Sequence, residues 1–235
     1  LGVDVVHADT PLDNYRIVVM PALIMLNEQR SRRLAEFVRR GGKLIITARS
    51  AMKDEDNSLL PMRQPGTLAD LAGVEVEEYY ALDEPVPIKG NWFEGQSRVW
   101  AERLKVRDPN HVAVIAKYGP SNGWLDGQPA ITVRGTSSGL CYYCGAYLDD
   151  VAQQAFLHRV IETVGLRSPI TVPEGVEVCT RVTLDGKTRY FILINHTRTG
   201  QIIDLPWPAA EQPGGRVLTG RIELPAYEVA VVTKA

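Results

Sequence analysis

Cysteine is scarce in this chain, with three residues in 235. So few cannot build a disulfide framework, which favours a reducing compartment such as the cytoplasm. Long apolar runs are missing too. The longest, Ile17 to Leu26, is broken by Pro21 and is too short to span a bilayer. Neither sign of charge is in excess: 26 Lys and Arg stand against 28 Asp and Glu, a net charge of −2. That balance gives no electrostatic reason to expect nucleic acid or an anionic membrane as a partner. Neither G-x-G-x-x-G nor a P-loop occurs, so no nucleotide cofactor is implied. The four histidines, His7, His111, His158 and His196, lack the H-x-x-x-H or H-E-x-x-H spacing of a metal site. No internal repeat or low-complexity tract is visible. What remains is an ordinary globular composition, 45% apolar and 23% charged, ample for a buried core.

The order of patterns divides the chain. "VDVVH" (Val3–His7) and "RIVVM" (Arg16–Met20) are short, β-branched and bounded by Pro, Asp and Asn, as buried strands are. In "NEQRSRRLAEFVRRGG" Asn27 suits a helix N-cap and Glu28 its first turn. Leu34, Phe37 and Val38 share one face, and Gly41 supplies the stop. "KLIIT" (Lys43–Thr47) completes a βαβ unit, which predicts parallel strands. "GTLADLAG" reads as a short helix and "VEVEEYY" as a strand. "SRVWAERLKV", "VAVIAKY", "AITVRG" and "GLCYYCGAY" follow as strands, with "NGWLDGQPA" (Asn122–Ala130) as a turn-rich loop. A helix is expected from Asp150, with Leu157, Val160, Ile161 and Val164 as its stripe and Gly165 as its end. "LRSPITVPEG" (Leu166–Gly175) reads as a linker. Beyond it only strands appear, with Asp185-Gly186 as a hairpin turn. The expected domains are residues 1–167, an α/β unit, and residues 172–235, a small antiparallel β-sandwich-like unit.

Few residues carry a chemical signature. "ARSAMKDEDN" places Arg49, Ser50 and several acids just beyond a strand, where open parallel sheets bind ligands. Ser50 lacks the small neighbours of a G-x-S-x-G elbow, and no Cys stands in an equivalent frame. Cys141 and Cys144 form C-x-x-C, but in a strand their sulfurs point to opposite faces, and the second ligand pair of a zinc site is missing. His158 reads as a satisfied core-edge histidine and His7 as structural. The acid pairs Asp54/Glu55, Glu77/Glu78 and Asp149/Asp150 read as a solvated loop, a strand end and a helix cap. "INHT" matches a glycosylation sequon, relevant only to a secreted chain. Trp92, Trp100, Trp124 and Trp207 show no spacing of a sugar-binding platform, so packing is their default role.

Taken together, "LGVDVVHADTPLDNYRIVVMPALIML", "LAEFVRRGGKLIITARSAMKDEDN" and "PGTLADLAGVEVEEYYAL" resemble the middle domain of family 42 glycoside hydrolases, the bacterial β-galactosidases. "VPEGVEVCTRV", "RYFILINHT" and "LPAYEVAVV" resemble that family's C-terminal β-domain. The resemblance spans nearly the whole chain. It implies a flavodoxin-like, class I glutamine amidotransferase-like trimerisation domain without its nucleophile, then the β-domain. It places the catalytic glutamates in a (β/α)8 barrel that this chain does not include, so no catalytic residue maps here. It also implies an N-terminally incomplete domain, entered near the end of a helix, and a homo-oligomer, trimeric in the family's full-length enzymes. The "ARSAMKDEDN" loop matches a family segment in which Gly is usual at Ala51. The resemblance makes Arg49, Ser50, Asp54 and Glu55 candidates for a subunit interface or the border of a neighbouring barrel's cleft. No cofactor, nucleic acid or membrane is expected. The chain alone is expected to be inactive. Rival readings are a stand-alone amidotransferase-like hydrolase using Ser50 or a Cys, and a carbohydrate-binding module using Trp207.

Overall fold

The computed structural model describes residues 2–121, 123–136 and 138–235; Asn122, in the expected turn-rich loop, lies outside them. The chain divides into two compact units. One is His7–Val164, and the other is Gly165–Ala235 together with residues 2–6.

The first unit opens with β1 (Ile17–Met20), α1 (Glu28–Arg39) and β2 (Lys43–Thr47). α1 starts where the sequence places it: the Asn27 side chain accepts the Arg30 N–H, satisfying one of the free donors of the first turn. Leu34, Phe37 and Val38 form its buried stripe. Asp9, just before, receives both Arg30 nitrogens, Nε at 3.0 Å and Nη2 at 2.7 Å. The Arg30 hydrogen bond holds the Asp9 carboxyl down at about 2. A 3-10 turn (Gly66–Leu68) leads into α2 (Ala69–Ala72). Then come β3 (Val74–Ala81), β4 (Val86–Gly90), β5 (Glu94–Val106), β6 (Val112–Tyr118), β7 (Pro129–Gly135), β8 (Leu140–Cys144), β9 (Ala146–Leu148) and α3 (Asp150–Thr163).

These strands form one mixed sheet in the order β1-β2-β8-β7-β6-β4-β5-β3, with β9 against β5. Only β1–β2 and β2–β8 pair in parallel. The helical crossover between β1 and β2 permits that direction, whereas the short turns of the later strands require antiparallel neighbours. Alternation along β2 and β8 feeds two cores. Leu44, Ile46, Cys141 and Tyr143 pack with α1 and α2 on one face, and Ile45, Tyr142 and Cys144 pack with α3 on the other.

Two expectations are corrected here. Val3–His7 forms no strand, and Val3 and Val5 are 85% and 101% exposed. β-branched residues favour a strand only when an edge is there to pair with, and no described strand pairs with this segment. The stripe of α3 is Ala152, Phe156 and Val160, not Leu157, Val160, Ile161 and Val164. Its small Ala152 sits against Gly95 of β5, where an added Cβ would lie 2.5 Å from the Ala152 methyl. This close approach turns the 152-156-160 row inward.

In the second unit, β10 (Val176–Val182), β11 (Arg189–Asn195), β16 (Val229–Lys234), β13 (Ala209–Gln212) and β14 (Arg216–Leu218) form an antiparallel sheet in that order. β12 (Gln201–Asp204) and β15 (Arg221–Leu224) form a two-stranded one. Val178, Phe191, Leu193 and Val232 meet Ile203, Ile222 and Leu224 in a common core. The Leu166–Gly175 segment has no regular element, yet its Ile170 is fully buried in that core. Asn195 of the sequon is 1% exposed. Its amide nitrogen lies within hydrogen-bonding distance of the Thr199, Leu224 and Pro225 carbonyls, so it fastens a turn and is closed to modification. No helix among the described residues is long and apolar enough to cross a membrane.

The tightest backbone approach joins the α1 C-terminus to the entry of β8. A Cβ on Gly139 would lie 1.8 Å from the Val38 carbonyl oxygen. Gly135, on the facing strand, has its nearest such neighbour at 4.0 Å. Gly139→Ala should therefore destabilise the chain by about 1–3 kcal/mol or more, and Gly135→Ala by no more than about 0.5 kcal/mol. Urea unfolding of the two variants measures this, and equal midpoints would disprove the close packing.

Candidate functional site

Beyond the carboxyl ends of β1 and β2 the backbone is strained at several points. Ala22 follows β1 with φ +47°, and Arg49 and Ala51 follow β2 with φ +66° and +54°. Val99, in β5, has φ +53°, where the register of β5 against β9 shifts between Ser97 and Ala101. Residues with a Cβ avoid this left-handed region, a β-branched one most of all. Such strain persists only where surrounding structure enforces it, and it gathers at functional sites. Here it is enforced by a connected set of bonds. The Ala22 N–H donates to Thr47 Oγ1 at 2.8 Å, the Ala51 N–H to the Leu23 carbonyl at 2.9 Å, and the Arg49 N–H to Glu102 Oε1 at 2.8 Å.

Glu102, on β5, is the centre of this set and is 0% exposed. Its Oε1 also accepts Trp100 Nε1 at 3.3 Å, and its Oε2 accepts the Tyr143 hydroxyl of β8 at 2.8 Å. The Tyr118 hydroxyl lies 3.1 Å from the Glu102 carbonyl and 3.0 Å from that of Gly145. Burial raises the Glu102 pKa, while the Arg49 N–H, Tyr143 and Trp100 pull it back. Burial also pushes the Tyr143 and Tyr118 hydroxyls well above the usual phenol range, so both stay protonated.

Above this buried layer lies an exposed stack. Trp100 packs against Tyr79 with ring centroids 5.1 Å apart and planes inclined by 16°. The Arg49 guanidinium carbon lies 4.9 Å from the Trp100 ring centre. Arg49 is exposed, and Tyr79 is 52% exposed. Arg49 makes no side-chain hydrogen bond or ion pair among the described residues.

The other residues singled out from sequence have separate settings. Ser50 is fully buried, with Oγ 3.4 Å from the Met20 carbonyl; its side chain supports the turn from inside and is no exposed nucleophile. Asp54 folds its own loop, accepting the Asp56 and Ser58 N–H groups at 3.0 and 2.8 Å. Glu55 accepts the Asn27 side-chain amide at 3.1 Å, linking the loop to the start of α1. Cys141 and Cys144 lie in opposite cores, and burial pushes both thiols up to about 12, which denies them thiolate chemistry. His158, expected at a core edge, is 77% exposed beside Glu162, because the turned stripe of α3 carries it outward. Trp207 packs on Phe191. Among the described residues no group of three His, Cys, Asp or Glu could hold a metal ion.

Glu102, Tyr143 and Tyr118 are absent from the sequence-derived candidates. For Glu102 the one signal is "WAERL": Trp100, Glu102 and Leu104 alternate onto one face of a strand, so the carboxylate stands between large apolar positions.

Comparison with known proteins supplies a family. The model of the β-galactosidase trimerisation domain of glycoside hydrolase family 42 matches residues 1–167, and that of the β-galactosidase C-terminal domain matches residues 175–234. A β-galactosidase of Alicyclobacillus acidocaldarius is 33% identical over 98% of this chain and 34% of its own length. One from Heyndrickxia coagulans is 26% identical over 99% of this chain and 34% of its own length. The chain thus spans about a third of the relatives it matches. The crystal structure of a Rahnella sp. R3 β-galactosidase superposes with a TM-score of 0.88 at 26% identity, covering 100% of this chain and 34% of that one. That of the Bacillus circulans sp. alkalophilus enzyme gives 0.89 at 23% identity, covering 97% and 34%, and speaks for the fold alone.

The Glu102 environment has a pH signature. A carboxyl whose folded pKa is raised from its usual 4.5 holds a proton that the unfolded chain releases. The stability it contributes is complete below 4.5 and is lost as pH rises through the folded value. Glu102→Gln removes that dependence. As pH rises above 4.5 the unfolding free energy of the Gln variant should gain on that of the unsubstituted chain, as urea titrations at several pH values would measure. A difference independent of pH would mean that Glu102 is not perturbed.

Proposed function

Because the chain belongs to the family 42 β-galactosidases, we propose that it is the assembly and active-site-supporting portion of such an enzyme and holds no catalytic residue. The observation that carries this reading is the pair of family domains in consecutive order within a chain spanning about a third of its relatives. The parent acts on β-galactosides as a retaining glycosidase, with its two catalytic carboxyls in a barrel outside this chain. Such a pair stands about 5–5.5 Å apart across a sugar-binding cleft. The acids of this chain have other tasks: Glu102 is sealed under Trp100, Asp54 closes its own turn, and Asp149 caps α3.

The first unit is a flavodoxin-like, class I amidotransferase-like domain adapted to assembly. Three parallel strands, β1, β2 and β8, support this, as does the left-handed Arg49 at the tip of β2. A nucleophile elbow needs a strained turn of this kind, and here the exposed side chain is a guanidinium. The assembly is a homo-oligomer, a trimer in the parent, in which this unit packs against its own and a neighbouring barrel. The Arg49–Glu55 loop borders that neighbour, with Ser50 bracing it from within. Three free cysteines suit a cytoplasmic setting.

The purified chain should release no nitrophenol from nitrophenyl β-galactoside. Turnover that survives repurification, and is lost on replacing a carboxylate within residues 1–235, would overturn the reading. A second arm removes residues 1–235 from the parent, which should abolish its oligomer in sedimentation. A parent that still assembles without them refutes the assembly role.

A further inference from the structure

We infer that the Tyr79–Trp100–Arg49 stack is the anchor of the subunit contact and that it receives a carboxylate from a neighbouring copy of the parent chain. The inference rests on the assembly role proposed above and adds to it the residues and the chemistry of the partner.

Three observations carry it. First, Arg49 is positioned, and its guanidinium has no hydrogen-bond or ion-pair partner among the described residues, its charge acting on the buried Glu102 only at a distance. Its backbone is fixed in a left-handed turn by Glu102, and its guanidinium lies over Trp100 at 4.9 Å. No described group accepts a hydrogen bond from that guanidinium. With no hydrogen-bond acceptor among the described residues, its donors are free, and the planar fork of a guanidinium matches the two oxygens of a carboxylate. The Glu102 carboxylate does not fill this role. It is fully buried and takes the Arg49 backbone N–H, the Trp100 indole and the Tyr143 hydroxyl.

Second, the stack is preorganised. Trp100 is held from below by Glu102 and from the side by Tyr79, so little side-chain freedom remains to be lost on docking. Tyr, Trp and Arg are the residue types that dominate binding energy at the centres of interfaces. Third, the backbone is strained to present it. Val99, left-handed and 60% exposed, immediately precedes Trp100. Its carbonyl accepts the Leu82 N–H at 3.0 Å, while its β-branched side chain is largely left to water in a conformation that such residues avoid. Against a partner, its exposed apolar surface joins the apolar rim of the stack.

The charge of the exposed guanidinium fixes the sign of the occupant. A cationic or purely apolar partner would leave Arg49 buried and unpaired, at large cost. A carboxylate set in an apolar frame satisfies both halves of the stack.

The test uses the full-length parent. Arg49→Ala should weaken subunit association at least about thirtyfold, the lower range for losing one partner of a buried charged hydrogen bond. Arg49→Lys, which keeps the charge but loses the planar fork, should fall between the two. Arg32→Ala, on the exposed face of α1, should match the unsubstituted enzyme. Sedimentation across a concentration series reads all of these. A second measurement needs no variant: modification of Arg49 by phenylglyoxal, followed by mass spectrometry, should proceed in the isolated chain and be suppressed in the assembled parent. Association unchanged in Arg49→Ala, or Arg49 modified equally in both states, overturns the inference. If the parent needs residues 1–235 to assemble and yet Arg49 stays reactive, only the anchor fails. If the parent assembles without them, the underlying reading fails as well.

Discussion

A buried carboxylate must find donors or lose its charge, and the architecture of the first unit follows from how Glu102 meets that demand. Its oxygens draw a backbone N–H from the turn after β2, an indole from β5 and a hydroxyl from β8. The same three elements also meet in the apolar core, through Ala51, Leu104 and Tyr143. The carboxylate holds Arg49 left-handed and orients Trp100 outward, and it adds to the burial that keeps Tyr143 protonated. Burial disfavours the charged form, and the donors restore part of the balance. The arrangement is therefore an organising device more than a source of stability, in keeping with the modest net value of buried polar groups.

Much of the fold was legible because it rests on local rules. The Asn27 cap, the α1 stripe, the parallel β1–β2 pair, the opposed Cys141 and Cys144 and the Asp185-Gly186 hairpin each follow from a few neighbouring residues. The misreadings share a different cause. The valines of Val3–His7 have strand propensity, but pairing depends on an edge that propensity cannot supply. The stripe of α3 was set by Gly95, more than fifty positions away, whose missing side chain admits Ala152. His158 was misplaced as a consequence of that rotation. The segment Leu166–Gly175 has a linker's composition, yet one isoleucine within it fills the core of the second unit.

The candidate site was half legible. Arg49 and its loop stand out because a strand end followed by charge is a recurrent binding geometry. What the residues there do could not be read locally. Asp54 and Glu55 look alike on paper, but one closes an Asx turn and the other bonds Asn27. Ser50 differs from Arg49 by a single position, and the left-handed turn sends one inward and the other to solvent. Glu102 lies more than fifty residues from Arg49 and carries no motif. Only its place in the apolar row of "WAERL" marks it, and only a structure shows which donors it gathers.

A left-handed residue at the tip of a strand flanked on both sides does one thing well: it lifts a single side chain clear of the sheet while the neighbours on either side stay buried. Ala48 and Ser50 are 7% and 0% exposed, with Arg49 projecting between them. Which chemistry results depends on the side chain placed there and on what surrounds it. A nucleophile would need a base nearby. Here the surrounding groups are two phenols held protonated, an indole, and an acid that is fully buried with its oxygens turned to the Arg49 N–H, Trp100 and Tyr143, so none is presented as a base to a side chain at the exposed tip. The same surroundings suit a guanidinium, which needs no activation, keeps its charge at any physiological pH and gains from an aromatic face. The geometry that would serve catalysis elsewhere is thus suited in this chain to recognition.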